Sequence, residues 1–171
     1  MTRLRVRAIL CLGAAMVVLS REAVTQAPNP WPAWTLSGGA VTFRVSEGNG
    51  WAFGPTVGAQ RRLRGRLRLD LNAAALLSSS GFYDFSGLSL DVGLAYAMTG
   101  GRLETSLGGG ASAVVGGDSD GTSGGWVGGY LAGQGTAWLG PRFGISVRSA
   151  LRLVSTGRTS PSFGGGVAVR F

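Results

Sequence analysis

The sequence contains no histidine, and its one cysteine is Cys11. Without histidine the chain lacks the side chain that most often serves as a general base, and it lacks a common metal ligand. With a single cysteine it cannot form an internal disulfide. We therefore expect no catalytic residues, no metal site and no cofactor, and we expect stability to come from packing or from a membrane.

Lysine is also missing, so arginine supplies all 16 basic residues, against 8 acidic ones, and the formal net charge is +8. A basic balance of this size is compatible with nucleic-acid binding. Here, however, the arginines are divided between the N-terminus and scattered positions in alternating segments, without interleaved aromatic residues or a basic helix. We therefore expect no nucleic-acid partner.

The first residues resemble a secretory signal peptide. A positively charged start, MTRLRVR, precedes an apolar run from Ala8 to Leu19 that is too short to cross a bilayer as a helix. Small residues suited to cleavage follow, at Ser20 and at Ala27. We predict a signal peptide over residues 1–27, with Ser20 as the alternative cleavage site, and a mature exported domain over residues 28–171.

From Trp34 onward, apolar and polar residues alternate with a period of two, which predicts β-strands. In RLRLDLNAAAL, for example, Leu67, Leu69 and Leu71 fall on one face and the charged residues between them on the other. Eight such segments follow one another, and none has a helical period. Short turns alternate with longer polar loops, which indicates an antiparallel meander with turns at one end and loops at the other.

Two segments depart from this simple pattern. In the first, the alternation slips near Gly38 and Gly39, which predicts a β-bulge. In the sixth, Tyr130 and Leu131 belong to alternative apolar faces. The sequence leaves open which of those two faces points inward.

Alternation does not by itself decide which face meets water. In a soluble lipocalin-like barrel the apolar face points inward, whereas in a membrane barrel it faces lipid and the polar face fills the lumen. Most segments are long enough to cross a bilayer as tilted strands, and their aromatic residues lie near the segment ends, as at membrane interfaces. On the short-turn side these are Trp34, Tyr96, Trp138, Phe143 and Phe171, and on the long-loop side they are Phe43, Trp51, Phe53, Trp126 and Phe163.

The last segment alternates up to a final aromatic residue. The residues on its apolar face are Phe163, Val167, Val169 and Phe171. Together with the leader and the eight alternating segments, this ending resembles the small eight-stranded outer-membrane β-barrels of Gram-negative bacteria, the class of the OmpA membrane domain and OmpX. The resemblance implies an all-β, eight-stranded antiparallel up-and-down transmembrane barrel, surrounded by outer-membrane lipids and lipopolysaccharide, whose last strand is recognised by the outer-membrane assembly machinery.

In this orientation the charged residues of the strands face the lumen. A desolvated arginine needs a partner, and hairpin counting across the turn at 99–102 places Glu104 opposite Ala97 and close to Arg68. We predict a lumenal charge network that plugs the barrel; a pair of acids acting catalytically without histidine is the less favoured interpretation. The predicted members are Arg66, Arg68, Asp70, Asp91, Glu104, Arg148, Arg152 and Arg170.

The stretch SSSGFYDFSG places three aromatic residues, Phe82, Tyr83 and Phe85, in a predicted surface loop. They are candidates for contact with lipopolysaccharide, a partner or a host surface, and packing over the barrel mouth is an equal alternative. We expect an outer-membrane protein with a structural, adhesive or envelope-stabilising role and no catalysis. The alternative is a soluble, secreted lipocalin-like barrel that binds an apolar ligand.

Overall fold

The protein forms a closed antiparallel barrel in which every strand pairs with its neighbours along the chain and β8 pairs with β1. The computed structural model describes residues 33–44, 51–80, 83–118, 123–155 and 159–171. The predicted signal peptide and Phe82 lie outside these ranges. The strands are β1 (Trp34–Arg44), β2 (Trp51–Arg64), β3 (Leu67–Ser80), β4 (Tyr83–Gly100), β5 (Leu103–Asp118), β6 (Ser123–Trp138), β7 (Phe143–Val154) and β8 (Thr159–Arg170). Within the described ranges, no helix is long and apolar enough to cross a bilayer.

The apolar faces of the strands point outward and the polar faces point into the barrel. On β4, for example, Leu90 is 47% exposed whereas the adjacent Asp91 is fully buried. The same alternation holds around the wall, and in β6 it places Tyr130 inside and Leu131 outside. Soluble monomers rarely expose apolar patches of more than a few hundred Å², and the lipocalin-like alternative requires the opposite arrangement.

Closure of the barrel depends on the seam between the first and last strands. Pairing of β1 with β8 is unbroken from Thr35 opposite Arg170 to Phe43 opposite Ser162. The backbone N–H of Phe171 also donates to the carbonyl of Trp34 at 3.0 Å. An unpaired backbone group in hydrocarbon costs several kcal/mol, so this seam makes an apolar outer face possible.

Two pairs of glycines allow the sheet to bend sharply at opposite sides of the barrel. Gly39 of β1 lies opposite Gly166 of β8, and Gly93 of β4 lies opposite Gly110 of β5. A Cβ atom at any of these positions would collide with the backbone of the neighbouring strand. Glycine is therefore required here by close approach of the strands, and the two bends lie half a circumference apart.

The predicted bulge near Gly38 is absent, and that prediction was wrong. The register of β1 with β2 is continuous from Trp34 opposite Arg61 to Arg44 opposite Trp51. The phase slip in the sequence has another cause, because Leu36 faces outward and Phe43 faces an apolar cluster inside the lumen.

The strands extend further at the loop end than the sequence predicted. β3 continues to Ser80 and β4 begins at Tyr83, so Tyr83 and Phe85 belong to a strand and not to a surface loop. At the opposite end the connections are tight. Gly65 and Gly101 adopt φ values of 56° and 60°, the left-handed conformation that short hairpin turns favour in glycine.

The predicted aromatic belts are correct in part. Three of their predicted members, Phe43, Trp126 and Trp138, lie on the lumenal face instead. The remaining aromatic side chains are exposed on the outer face near the two ends of the strands. They are Trp34, Tyr96, Phe143 and Phe171 at the turn end, and Trp51, Phe53 and Phe163 at the loop end.

The glycine bend between β1 and β8 gives a test with an internal control. We expect Gly166→Ala to lower the free energy of unfolding by about 1–3 kcal/mol, because overpacking against a backbone has this cost. Gly165→Ala should be close to neutral, since a Cβ there meets neighbours only at ordinary contact distances. Urea unfolding of barrels refolded in lipid vesicles measures both, and equal stability of the two variants would contradict the bend.

Candidate functional site

The lumen contains an apolar cluster near the loop end and a charged layer below it. The cluster consists of Phe43, Ala52, Ala74, Leu76 and Val114, with Val41 and Trp126 packed against it. The charged layer consists of Arg68, Asp70, Asp91, Glu104, Arg148 and Arg152. The two layers meet where the guanidinium carbon of Arg152 lies 4.9 Å from the centre of the Phe43 ring.

The pair of Asp91 and Arg152 lies directly beneath the apolar cluster. Arg152 donates to both carboxylate oxygens of Asp91, from Nη2 at 2.6 Å and from Nε at 3.0 Å. Ser112 donates to Asp91 at 2.7 Å, and Arg152 Nη1 donates to the Ser162 hydroxyl at 2.6 Å. Both charges are almost fully buried, and the two-point geometry is the strongest form of arginine–carboxylate contact.

Asp70 occupies the centre of the charged layer and accepts from three side chains. Arg148 donates to its two oxygens at 3.2 and 2.9 Å, Tyr130 donates at 2.9 Å, and Gln60 donates at 3.0 Å. Arg148 Nη2 also lies 3.8 Å from Asp91 Oδ2. Arg148 therefore connects the two aspartates into one network.

The third ion pair lies towards the turn end. Arg68 Nη1 donates to Glu104 Oε1 at 2.6 Å and to Gln60 Oε1 at 3.3 Å. The counting used for the sequence prediction was two residues out of register, because Glu104 lies opposite Thr99 and not Ala97. The contact with Arg68 forms nevertheless, since both long side chains reach into the narrow lumen.

The charged layer is electrically balanced, and most of its charged side chains are almost fully buried. It contains three arginines and three carboxylates, each in an ion pair of 2.9 Å or less. Removing one partner from a buried pair costs about 3–5 kcal/mol, because the other charge stays buried without compensation. A cavity of about 30 Å³ beside Arg148 and Arg152 has room for only one or two water molecules.

Two predicted members of the network lie elsewhere. Arg66 is exposed in the turn between β2 and β3 and does not face the lumen, because a register shift between Arg62 and Arg64 brings the turn to that position. Arg170 lies at the turn end of the barrel. Its Nε donates to the Pro141 carbonyl at 2.6 Å, and its guanidinium stacks over the Trp138 ring at 4.4 Å.

Gln60 and Tyr130 are central to the network but are not among its predicted members. Both are uncharged, so a search for compensating charges passes over them. Gln60 was detectable as the polar residue of an inward position on β2, and it joins Arg68 to Asp70. The sequence did not show that Tyr130 faces the lumen, because the alternation in β6 left open which of its two faces points inward.

Each carboxylate of the charged layer is engaged by an arginine, and this limits the available chemistry. A general base needs a lone pair within reach of a substrate proton. Asp70 and Asp91 each use both oxygens to bind guanidinium groups. The arrangement favours a static, electrically neutral filling of the barrel.

Comparison with solved structures identifies the fold, whereas no family model and no curated protein matches the sequence. Neisserial surface protein A aligns with a TM-score of 0.66 and 17% identity over 81% of this chain and 97% of that one. Ail, the attachment invasion locus protein of Yersinia pestis, aligns at 0.58 and 13% over 82% and 100%. The outer membrane protein OprG from Pseudomonas aeruginosa aligns at 0.54 and 12% over 81% and 95%. The chain therefore has the fold of the small eight-stranded outer-membrane β-barrels.

Proposed function

We propose that this chain is an integral outer-membrane barrel with a structural, envelope-stabilising role, sealed by its own lumenal charges. The observation that carries the proposal is the neutral network of three arginines and three carboxylates inside an apolar wall. The lumen of such a barrel is filled by its own side chains. We further propose that the chain reaches the membrane by export with a cleaved signal peptide.

The dimensions of the wall support placement in a bilayer. About 9–11 residues of a tilted strand cross the hydrocarbon layer, and the strands contain 11 to 18 residues. The exposed aromatic side chains lie near the strand ends, where an aromatic ring is favoured at the membrane interface. Outer-membrane lipids and lipopolysaccharide are therefore the partners that we propose for the outer face.

The ion pairs support a sealed lumen because they join opposite walls. Arg148 of β7 pairs with Asp70 of β3, and these strands lie four positions apart in the closed order. A solute would have to separate this pair, and the apolar cluster around Phe43 forms a second barrier. Eight-stranded barrels have interiors just wide enough for side chains.

A non-catalytic role is supported by the engagement of the acids. The sequence has no histidine, and each of the three carboxylates of the charged layer is paired with arginine. Salt-bridge networks of this kind also occur away from active sites. We therefore propose no enzymatic activity.

Attachment through the surface loops is the second candidate role. Two proteins with this fold are described as a surface protein and as an attachment invasion locus protein. The candidates for contact remain Phe82, Tyr83 and Phe85, of which the latter two begin β4. The partner in such an attachment is unknown.

The outer face of β8 supports recognition by the outer-membrane assembly machinery. Phe163, Val167 and Phe171 are exposed there, and Val169 is partly exposed. These side chains form a continuous apolar stripe along the strand that closes the barrel.

Membrane partitioning tests the orientation of the wall. We expect the protein to fractionate with outer membranes and to require detergent for extraction, because its exposed face is apolar. On a denaturing gel, unheated and boiled samples should migrate differently, as a closed barrel resists unfolding by detergent at room temperature. Recovery of monodisperse protein in plain buffer would refute the membrane location.

A double-mutant cycle on Asp91 and Arg152 tests the network. We expect Asp91→Leu alone and Arg152→Met alone each to destabilise the barrel by about 3–5 kcal/mol, since each leaves the other charge buried and uncompensated. Asp91→Leu with Arg152→Met should recover most of that loss by replacing the pair with apolar groups. The readout is the urea midpoint in vesicles, and a coupling energy near zero would show that the pair contributes nothing.

Conductance in planar bilayers tests the seal. We expect the wild-type barrel to be electrically silent, with at most brief openings, because ions cannot pass three cross-lumen pairs. Replacement of Asp70, Asp91, Arg148 and Arg152 by alanine, together with Phe43→Ala to open the apolar cluster, should produce steady conductance in material that still shows heat-dependent gel mobility. Steady conductance of the wild-type barrel would contradict the sealed lumen.

A further inference from the structure

The turn end of the barrel carries an open groove with a basic lining. The groove has a volume of about 240 Å³ and lies between the β4–β5 turn and the β6–β7 turn. Arg102 and Arg170 contribute the charges, and Trp138, Leu139 and Pro141 contribute apolar surface. The lining contains no carboxylate, so the groove has an uncompensated positive charge.

Arg170 is held in a fixed orientation at this groove. Its Nε donates to the Pro141 carbonyl at 2.6 Å, and its guanidinium lies over the Trp138 ring at 4.4 Å. Among the described residues no other acceptor takes up its terminal nitrogens. Their N–H groups are thus available to an external acceptor without loss of side-chain freedom on binding.

Trp138 and Arg102 join the two turns that form the groove walls. The Trp138 backbone N–H donates to the Arg102 carbonyl at 2.7 Å, while the Arg102 side chain is exposed. Trp138 itself is 3% exposed, and its indole Nε1 has no hydrogen-bond partner within the described ranges. The contribution of Trp138 to the groove is the ring face on which the Arg170 guanidinium stacks.

The surroundings indicate which anion the groove takes. Guanidinium groups bind phosphate through two parallel N–H donors, whose spacing matches two phosphate oxygens. Exposed Leu139 forms an apolar wall beside the two charges, and exposed Phe143 and Phe171 lie at the same end of the barrel. An apolar surface next to paired arginines matches an amphiphile with a phosphate head.

Further arginines surround this end and increase the local attraction for anions. All are exposed, and acidic groups are missing from the described turns beside them. Basic side chains near a membrane surface attract anionic lipids. They are Arg61, Arg62, Arg64, Arg66 and Arg142.

We propose that the groove between Arg102 and Arg170 binds a phosphate group, supplied by the headgroup of an anionic phospholipid in the adjoining leaflet. Arg170 contacts the phosphate oxygens from its fixed position, Arg102 closes over the opposite side, and Leu139 contacts the glycerol region. The choice of a lipid as the source rests on the proposed membrane location, whereas the phosphate chemistry does not.

Native mass spectrometry of the detergent-solubilised barrel, titrated with phosphatidylglycerol or phosphatidylcholine, tests the proposal. We expect the wild type to prefer phosphatidylglycerol at least tenfold. Arg102→Gln and Arg170→Lys should each weaken phosphatidylglycerol binding about tenfold, the latter because lysine keeps the charge but loses the stacked planar fork. Arg64→Gln is the matched control, since it removes the same charge at the same end outside the groove, and it should stay within twofold of wild type.

Equal weakening by Arg64→Gln and Arg102→Gln would overturn the proposal, because it would indicate diffuse attraction. Absence of a preference for phosphatidylglycerol would also overturn it. Displacement of the lipid by millimolar inorganic phosphate, with loss of phosphate binding in Arg102→Gln, would support the groove and assign a soluble source. Heat-dependent gel mobility of every variant reports on the barrel itself, so failure of the fold is distinguishable from failure of the site.

Discussion

The backbone seam between β1 and β8 is the constraint on which the rest of the structure depends. Once these strands pair, the sheet has no edge, and the outer face can be apolar without unpaired N–H or C=O groups in hydrocarbon. A closed sheet of eight strands has a narrow interior. The wall must therefore bend sharply, which requires glycine at Gly39 and Gly166, and the interior must be filled by the side chains themselves.

The interior of the barrel is filled by two kinds of buried side chain, apolar ones and ion-paired ones. Near the loop end, apolar side chains around Leu76 and Val114 pack as in an ordinary protein core. In the centre, arginines and carboxylates are buried at a desolvation cost that is offset by short, two-point contacts such as that of Arg152 with Asp91. Because these contacts join strands that are distant in the chain, they also favour one register of the barrel over others.

The sequence was most informative where one face is uniform along a whole strand. The alternation around Leu90 and Asp91 predicted the barrel and its orientation, because lipid and lumen impose opposite chemistry on neighbouring residues. It was less informative near strand ends. Phe43 points inward into the apolar cluster at the loop end, and Trp138 points inward beneath the guanidinium of Arg170 at the turn end. Arg66 falls in a turn because a register shift precedes it. Such outcomes depend on contacts between distant strands, which local periodicity does not contain.

The two glycine bends divide the wall into halves, β1–β4 and β5–β8. Each of the three shortest ion pairs crosses from one half to the other: Arg68 of β3 to Glu104 of β5, Arg148 of β7 to Asp70 of β3, and Arg152 of β7 to Asp91 of β4. These three pairs therefore hold the two four-stranded halves together across the lumen. The residues that fill the lumen are thus the same residues that connect distant strands, so the contents of the barrel and the cohesion of its wall depend on one set of side chains.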